Sequence, residues 1–451
     1  MIETISDFNK FHSENADGDW IVHIVPIEDG VHPSDNIPSV LFIRNILTGR
    51  TYSYAFDHPD SPSKISDCSF IQVIWDKTPN NIKWALDGKA FRQLGIQNVN
   101  DANLCGFFKN NDILELSEYE TPAHNFVRRN SNGMRQVNKI IPLLKHKEMF
   151  EDMCVDIEKM IRGFKVDDSY TQFNDIIHTL GQIEKNGIYV DRNKFLSIFG
   201  EDHKKDVNKD NIIHTQYHPY HLSGRPSNTF NGINYSALNK SDGTRSFIKS
   251  RYGAYGKLIL IDYKSYHPRL LSNIVDYKIP ADDVYAYLAS HYFNKSYENV
   301  DEYDISNSKQ ITFEMLYGGI KPEYLHIKFL KKIQDYMDTL YETFNNCGYV
   351  ETLIFKRKIQ KEFASDMTPN KLLNYILQSH ETERNMDVIK NIFNAMENRK
   401  SKIVLYQYDS ILLDFHKDDV NFIDIIKETM DYKNYPLTIS IGDDFHDMKK
   451  M

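Results

Sequence analysis

Two aspartates close apolar runs that lie far apart in the chain. Asp262 follows Lys257-Leu258-Ile259-Leu260-Ile261, and Asp409 follows Ile403-Val404-Leu405-Tyr406-Gln407-Tyr408. Runs of this kind read as strands, so each acid sits at a strand end. Two such ends converge only if their strands lie side by side in one sheet. Converging carboxylates can bind a pair of Mg²⁺ ions, the usual machinery of phosphoryl transfer. Strand ends are often acidic for no chemical reason, so the surroundings decide.

Lys309, Phe313 and Tyr317 recur every fourth residue in Ser308–Gly318. On a helix they share one face. A cation and two aromatics on one face can hold a triphosphate and stack a base. The same spacing also suits an amphipathic helix with Phe and Tyr in its core. His214-Thr215-Gln216-Tyr217-His218, followed by Ser223-Gly224-Arg225-Pro226-Ser227-Asn228, is polar and turn-rich. Its Arg could reach a minor groove or phosphates, or the segment could be a solvated loop.

The elements that must position these residues can be read in outline. Residues 20 to about 60 read as β, and 69–76 as a further strand (Ser69-Phe70-Ile71-Gln72-Val73-Ile74-Trp75). Mixed helix and loop follow to about 125. The Arg128–Gly133 stretch reads as a linker, which places a domain boundary near 130–150. Helical spacing from Lys145 to about Lys185 ends at Asn186-Gly187, a C-cap signal. Strand 257–262 leads to a helix near 268–276. A long helix near 370–397 precedes strand 402–408. Ile411–Phe415 then returns as its partner, so Asp409 stands at a hairpin tip.

The chain has 451 residues, enough for two to four domains, and 41% are hydrophobic. Its four cysteines are scattered without CxxC or Cys/His spacing, which fits a reducing compartment and no zinc knuckle. The start, Met1-Ile2-Glu3-Thr4-Ile5, lacks a signal-peptide pattern, and no stretch is apolar enough to span a bilayer. A cytoplasmic protein without a membrane partner is expected. A net charge of -9 argues against coating nucleic acid by bulk charge, though not against a local basic groove.

Taken in order, these segments resemble the family A DNA polymerases of the bacterial DNA polymerase I type. Leu258–Arg269 is similar to motif A, with Asp262-Tyr263 and Arg269 in register. Lys309–Gly318 is similar to motif B, the nucleotide-binding finger helix. Gly348–Leu353 reads GYVETL as in the family, and Asn374 and Gln378 match its N-x-x-x-Q helix. Tyr408-Asp409-Ser410 stands where motif C has His-Asp-Glu. His416–Asp419, Tyr435-Pro436-Leu437 and Ile183–Asp191 also follow the family. The resemblance covers about 175–451.

It implies an α+β right-hand fold of palm, fingers and reduced thumb, with an N-terminal α/β domain at 1–150 and the polymerase domain at 151–451. Within the latter, palm and thumb would span 175–262, fingers about 280–347 and the rest of the palm 348–451. Asp262 and Asp409 would bind two Mg²⁺ ions. Lys309, Phe313, Tyr317, His267 and Tyr263 would surround the nucleotide. Arg225, Asn374, Gln378, Arg269 and Tyr408 would contact DNA. The implied partners are primer-template DNA, dNTPs and a processivity factor or other replication proteins. The implied role is genome replication. The compact, divergent motifs suggest a viral or phage source, hence host cytoplasm.

The departures matter as much. His267 replaces the Glu that blocks a ribose 2′-hydroxyl, Ser410 replaces motif C's second acid, and Ile305 replaces a motif B Arg. The stretches 191–214 and 318–348 are short, so thumb and fingers are trimmed. Residues 1–150 occupy the place of the family's 3′–5′ exonuclease. They show no Asp-x-Glu on the first strand, the nearest acids being Glu28-Asp29. A degenerate exonuclease fold or an unrelated accessory domain is therefore expected. Two alternatives stay open: an RNA-synthesising or primer-making enzyme on the same palm, and an inactive DNA-binding subunit.

Overall fold

The computed structural model describes residues 5–14, 17–28, 32–35, 37–56, 58, 60, 70–119, 143–364 and 366–451. The Arg128–Gly133 stretch read as a linker lies outside the described residues, as do Asp29 and the side chain of Glu28. The chain divides into two compact units, one of residues 1–187 and 195–214, the other of 188–194 and 215–451. Helices Leu143–Ile161 and Asp168–Asn186 thus belong to the first unit.

The first unit is built on a five-stranded sheet in the order β3-β2-β1-β4-β5. Strands β1 (Trp20–Glu28), β2 (Ile37–Asn45) and β3 (Thr51–Ala55) form an antiparallel meander. Strands β4 (Lys83–Ala85) and β5 (Asn100–Asp101) then run parallel to β1. A parallel partner needs a crossover, usually a helix. Here the crossover contains α1 (Phe70–Lys77), where the sequence suggested a strand. Composition misleads at this point and burial explains the outcome. Ile71, Ile74 and Trp75 are buried while Val73 is exposed, which is helical rather than alternating periodicity. All three join a core with Trp20, Leu41, Ile43, Tyr54 and Phe91. Helix α2 (Asp168–Asn186) ends at Gly187, whose φ of 58° and ψ of 172° suit glycine alone.

The second unit centres on another five-stranded sheet. Its middle strand, β6 (Gly256–Tyr263), lies between β8 (Ser410–His416) and β9 (Leu437–Gly442), antiparallel to both. Strand β7 (Lys402–Gln407) pairs with β8, and β10 (Lys449–Lys450) with β9. Tyr217 covers the outer edge of β7. Its hydroxyl accepts from the Tyr406 amide at 2.8 Å and donates to the Tyr406 carbonyl at 2.9 Å.

Two helices bring side chains to this sheet. Helix α3 (Glu302–Gly318) starts at a capping box made by Asp301 and Asp304. Helix α4 (Pro369–Ala395) starts at Thr368, with proline at its first position. No helix among the described residues is long and apolar enough to cross a membrane.

Candidate active site

Asp262 lies on β6 opposite Ser410 of β8, and Asp409 is the second residue of the two-residue turn joining β7 to β8. The first turn residue, Tyr408, sits in the left-handed region at φ 63°. Such a backbone is uncommon for a bulky residue and marks a tip held by its surroundings. The hold is visible. Asn385 donates to the Tyr408 carbonyl at 2.6 Å and accepts from the Tyr266 hydroxyl at 2.7 Å. The Tyr263 amide donates to the Asp409 carbonyl at 3.1 Å.

Both carboxyls are perturbed, and the Asp409 charge acts on Asp262. Burial and the Asp409 charge push the Asp262 carboxyl up to about 7, against the pull of Lys240 and Lys309. Asp409 is likewise raised, by burial and by Glu381, with His267 and Arg225 opposing. Asp262 Oδ1 is buried without a hydrogen-bond partner. An unsatisfied acceptor beside a second raised carboxylate fits a divalent cation. No group of three or more His, Cys, Asp or Glu ligands exists among the described residues. Two carboxylates are as many as Mg²⁺ commonly takes from a protein, with water and substrate phosphates completing its shell.

Helix α3 presents its other stripe here. Its buried positions are Asp304, Ser308, Thr312, Met315 and Leu316, so Lys309, Phe313 and Tyr317 are not core residues. Lys309 is exposed, and its Nζ lies 6.0 Å from the Phe313 ring centre. The Phe313 and Tyr317 rings are parallel within 3°, with centres 5.8 Å apart, and Tyr317 is 39% exposed. An open cation and two parallel, stacked aromatics thus stand on successive turns.

Other residues singled out from the sequence are placed as follows. Tyr263 is 5% exposed and stacks on Tyr266 at 4.1 Å. Its hydroxyl accepts from Arg384 at 2.9 Å and donates to the Met430 carbonyl at 3.2 Å. Arg269 donates to the backbone carbonyls of Lys264 and Asp282. Asn374 and Gln378 are half-buried on one face of α4, and Asn374 Oδ1 is buried without a partner. Arg225 is committed inward. Its Nε donates to Glu381 Oε2 at 2.9 Å, a second nitrogen donates to the same oxygen, and the guanidinium lies 4.1 Å over the Tyr408 ring.

Glu381, Arg384 and Lys240 join the site without having been singled out. Burial works to raise the Glu381 carboxyl, but His267 and Arg225 hold it below the usual range. His267 Nδ1 lies 2.7 Å from the Tyr317 hydroxyl, and its Nε2 is 3.3 Å from Glu381 Oε1. A signal for Glu381 was present: 374, 378 and 381 are spaced for one helix face.

With this geometry in hand, the solved structures supply a likeness. The POL domain of Pol1 from M. smegmatis, solved in complex with DNA primer-template and dNTP, superposes with a TM-score of 0.72 over 97% of each chain at 14% identity. The chain has a polymerase POL-domain fold. No family profile and no curated relative matches the sequence. Within this POL-type fold, the acid-bearing strand ends and the α3 stripe meet in the second unit.

Proposed function

We propose that this chain is a template-directed DNA polymerase that extends a primer 3′-hydroxyl with dNTPs. The observation that carries the reading is the convergence of Asp262 and Asp409 within electrostatic reach of Lys309. Asp262 and Asp409 would hold two Mg²⁺ ions, which when bound would acidify the primer hydroxyl and stabilise charge on the α-phosphate. Lys309 would neutralise the triphosphate. Phe313 and Tyr317 would seat the sugar and base, with His267 beside them. Asn374 and Gln378 would face the minor groove of the primer-template. Arg225, Tyr263 and Arg269, whose polar side-chain groups are engaged internally, would act by shaping the site, as would Tyr408, whose ring lies under the Arg225 guanidinium.

In this reading palm and thumb span 175–262, fingers about 280–347 and the remaining palm 348–451. The N-terminal residues would form an accessory domain, and replication of a viral genome in host cytoplasm is the proposed setting. A second reading, RNA or primer synthesis, is favoured by one observation: His267, not a carboxylate, contacts Tyr317.

Primer extension with Mg²⁺ on a defined template tests both readings. Template-dependent extension with dNTPs, lost by at least about 10³-fold in Asp409→Ala, is expected. Extension with rNTPs alone, or synthesis without a primer, would favour the second reading. No extension with either nucleotide class would leave a DNA-binding subunit.

A further inference from the structure

Glu381 cannot touch a nucleotide, because it is 1% exposed inside α4 packing. It nevertheless joins the two working surfaces of the site. Through Arg225 it reaches the Tyr408 ring, next to Asp409. Through His267 it reaches Tyr317 on α3. One buried carboxylate therefore references both the metal side and the nucleotide side.

The chemistry of the relay follows from its order. The His267 ring stands between two contacts, Nε2 to Glu381 Oε1 at 3.3 Å and Nδ1 to the Tyr317 hydroxyl at 2.7 Å, and whichever ring nitrogen carries the proton, the second contact ties Tyr317 to the ring. Tyr317 is thereby fixed. Successive turns of α3 lie about 5.4 Å apart. If Lys309 takes phosphates, the sugar falls near the Phe313–Tyr317 step, beside His267. A 2′-hydroxyl arriving there meets an edge held in place. Without Glu381 the His267 ring loses its buried contact, and Tyr317 is free to yield.

We propose that Glu381 is a positioning residue that sets sugar selectivity by fixing Tyr317 through His267. The proposal rests on the polymerase reading above and deepens it.

The test is single-nucleotide primer extension by the full chain, with dTTP and UTP compared on one template. In Glu381→Gln and Glu381→Ala, KM for dTTP should rise about tenfold while kcat changes less than about threefold, and the preference for dTTP over UTP should shrink about tenfold, the scale of one lost hydrogen bond. Glu381→Gln keeps an acceptor for Arg225, so it serves if the alanine variant fails to fold. His267→Glu alone crowds two buried carboxylates and should be worse than His267→Glu/Glu381→Ala, which returns one carboxylate to Tyr317. A sugar preference within about twofold of wild type in the Gln variant, equal losses for both nucleotides, or a double variant no better than His267→Glu would overturn the assignment. A wild type that extends no primer removes the polymerase reading and this assignment together. An active wild type with unaltered variants removes this assignment alone.

Discussion

The Tyr263 amide donates to the Asp409 carbonyl across 3.1 Å, so the two acid-bearing strand ends are joined through backbone as well as by sheet register. The strand ends that carry the carboxylates cannot separate without breaking that bond. The repulsion between the carboxylates is therefore built into the fold, and its consequences can be measured.

The first consequence is a pH-dependent effect of Mg²⁺. The Asp262 carboxyl stands at about 7 in the folded chain against an ordinary 3.8. Between these values the folded state holds a proton that the unfolded state releases. Without metal, this group makes the chain less stable as pH rises from about 4 to 7, at about 1.4 kcal/mol per unit and a few kcal/mol at most. Mg²⁺ should raise the melting temperature at pH 8 and do little at pH 5.5. Asp262→Asn should flatten the metal-free pH profile. A Mg²⁺ effect of the same size at both pH values would count against the paired site.

The acids and the α3 stripe were legible because both signals are local. A strand-end acid is read from its own run, and Lys309, Phe313 and Tyr317 from four-residue spacing. Glu381 was legible only as a position on the face of Asn374 and Gln378; its role was not, because its partner Arg225 lies 156 positions away and only packing brings them together. The strand expected at 69–76 failed for a related reason. Phe70-Ile71-Gln72-Val73-Ile74-Trp75 is β-rich in composition, but the crossover to a strand parallel to β1 calls for a helix there. Strands β4 and β5, three and two residues long, are too short to leave a periodic pattern at all.

Lys309→Ala should separate nucleotide binding from chemistry. The side chain is exposed, so its removal should leave the melting temperature within about 1 °C. Its loss should raise KM for dNTPs roughly 10- to 100-fold, the scale of a charge-assisted contact to phosphate. Steady-state kinetics on a fixed primer-template reads this directly, and an unchanged KM would place the triphosphate elsewhere.

Tyr217→Phe should be costly despite its small change in shape. The hydroxyl serves both the amide and the carbonyl of Tyr406 on an edge strand. Its loss leaves two buried backbone groups unpaired, at about 1–3 kcal/mol each before any water enters. Chemical denaturation should show a lower midpoint with an unchanged m-value. A midpoint equal to wild type would mean that water replaces the hydroxyl without cost.

Grip on duplex DNA should be weak. Acidic residues outnumber basic ones, 63 to 54, so affinity depends on local rather than overall charge. The 191–214 stretch, expected to serve as the thumb, contains the eight-residue helix Arg192–Phe199, a short 3-10 segment, Glu201–Asp206, and a two-residue strand, Ile212–Ile213. Few phosphate contacts mean a shallow salt dependence and fast dissociation. In a single-binding assay with a DNA trap, the purified chain should add only about ten nucleotides or fewer before release, given so few phosphate contacts. An added processivity partner should lengthen the products without changing the rate of single-nucleotide addition. Long products from the chain alone, persisting at raised salt, would show that the grip comes from elsewhere in the protein.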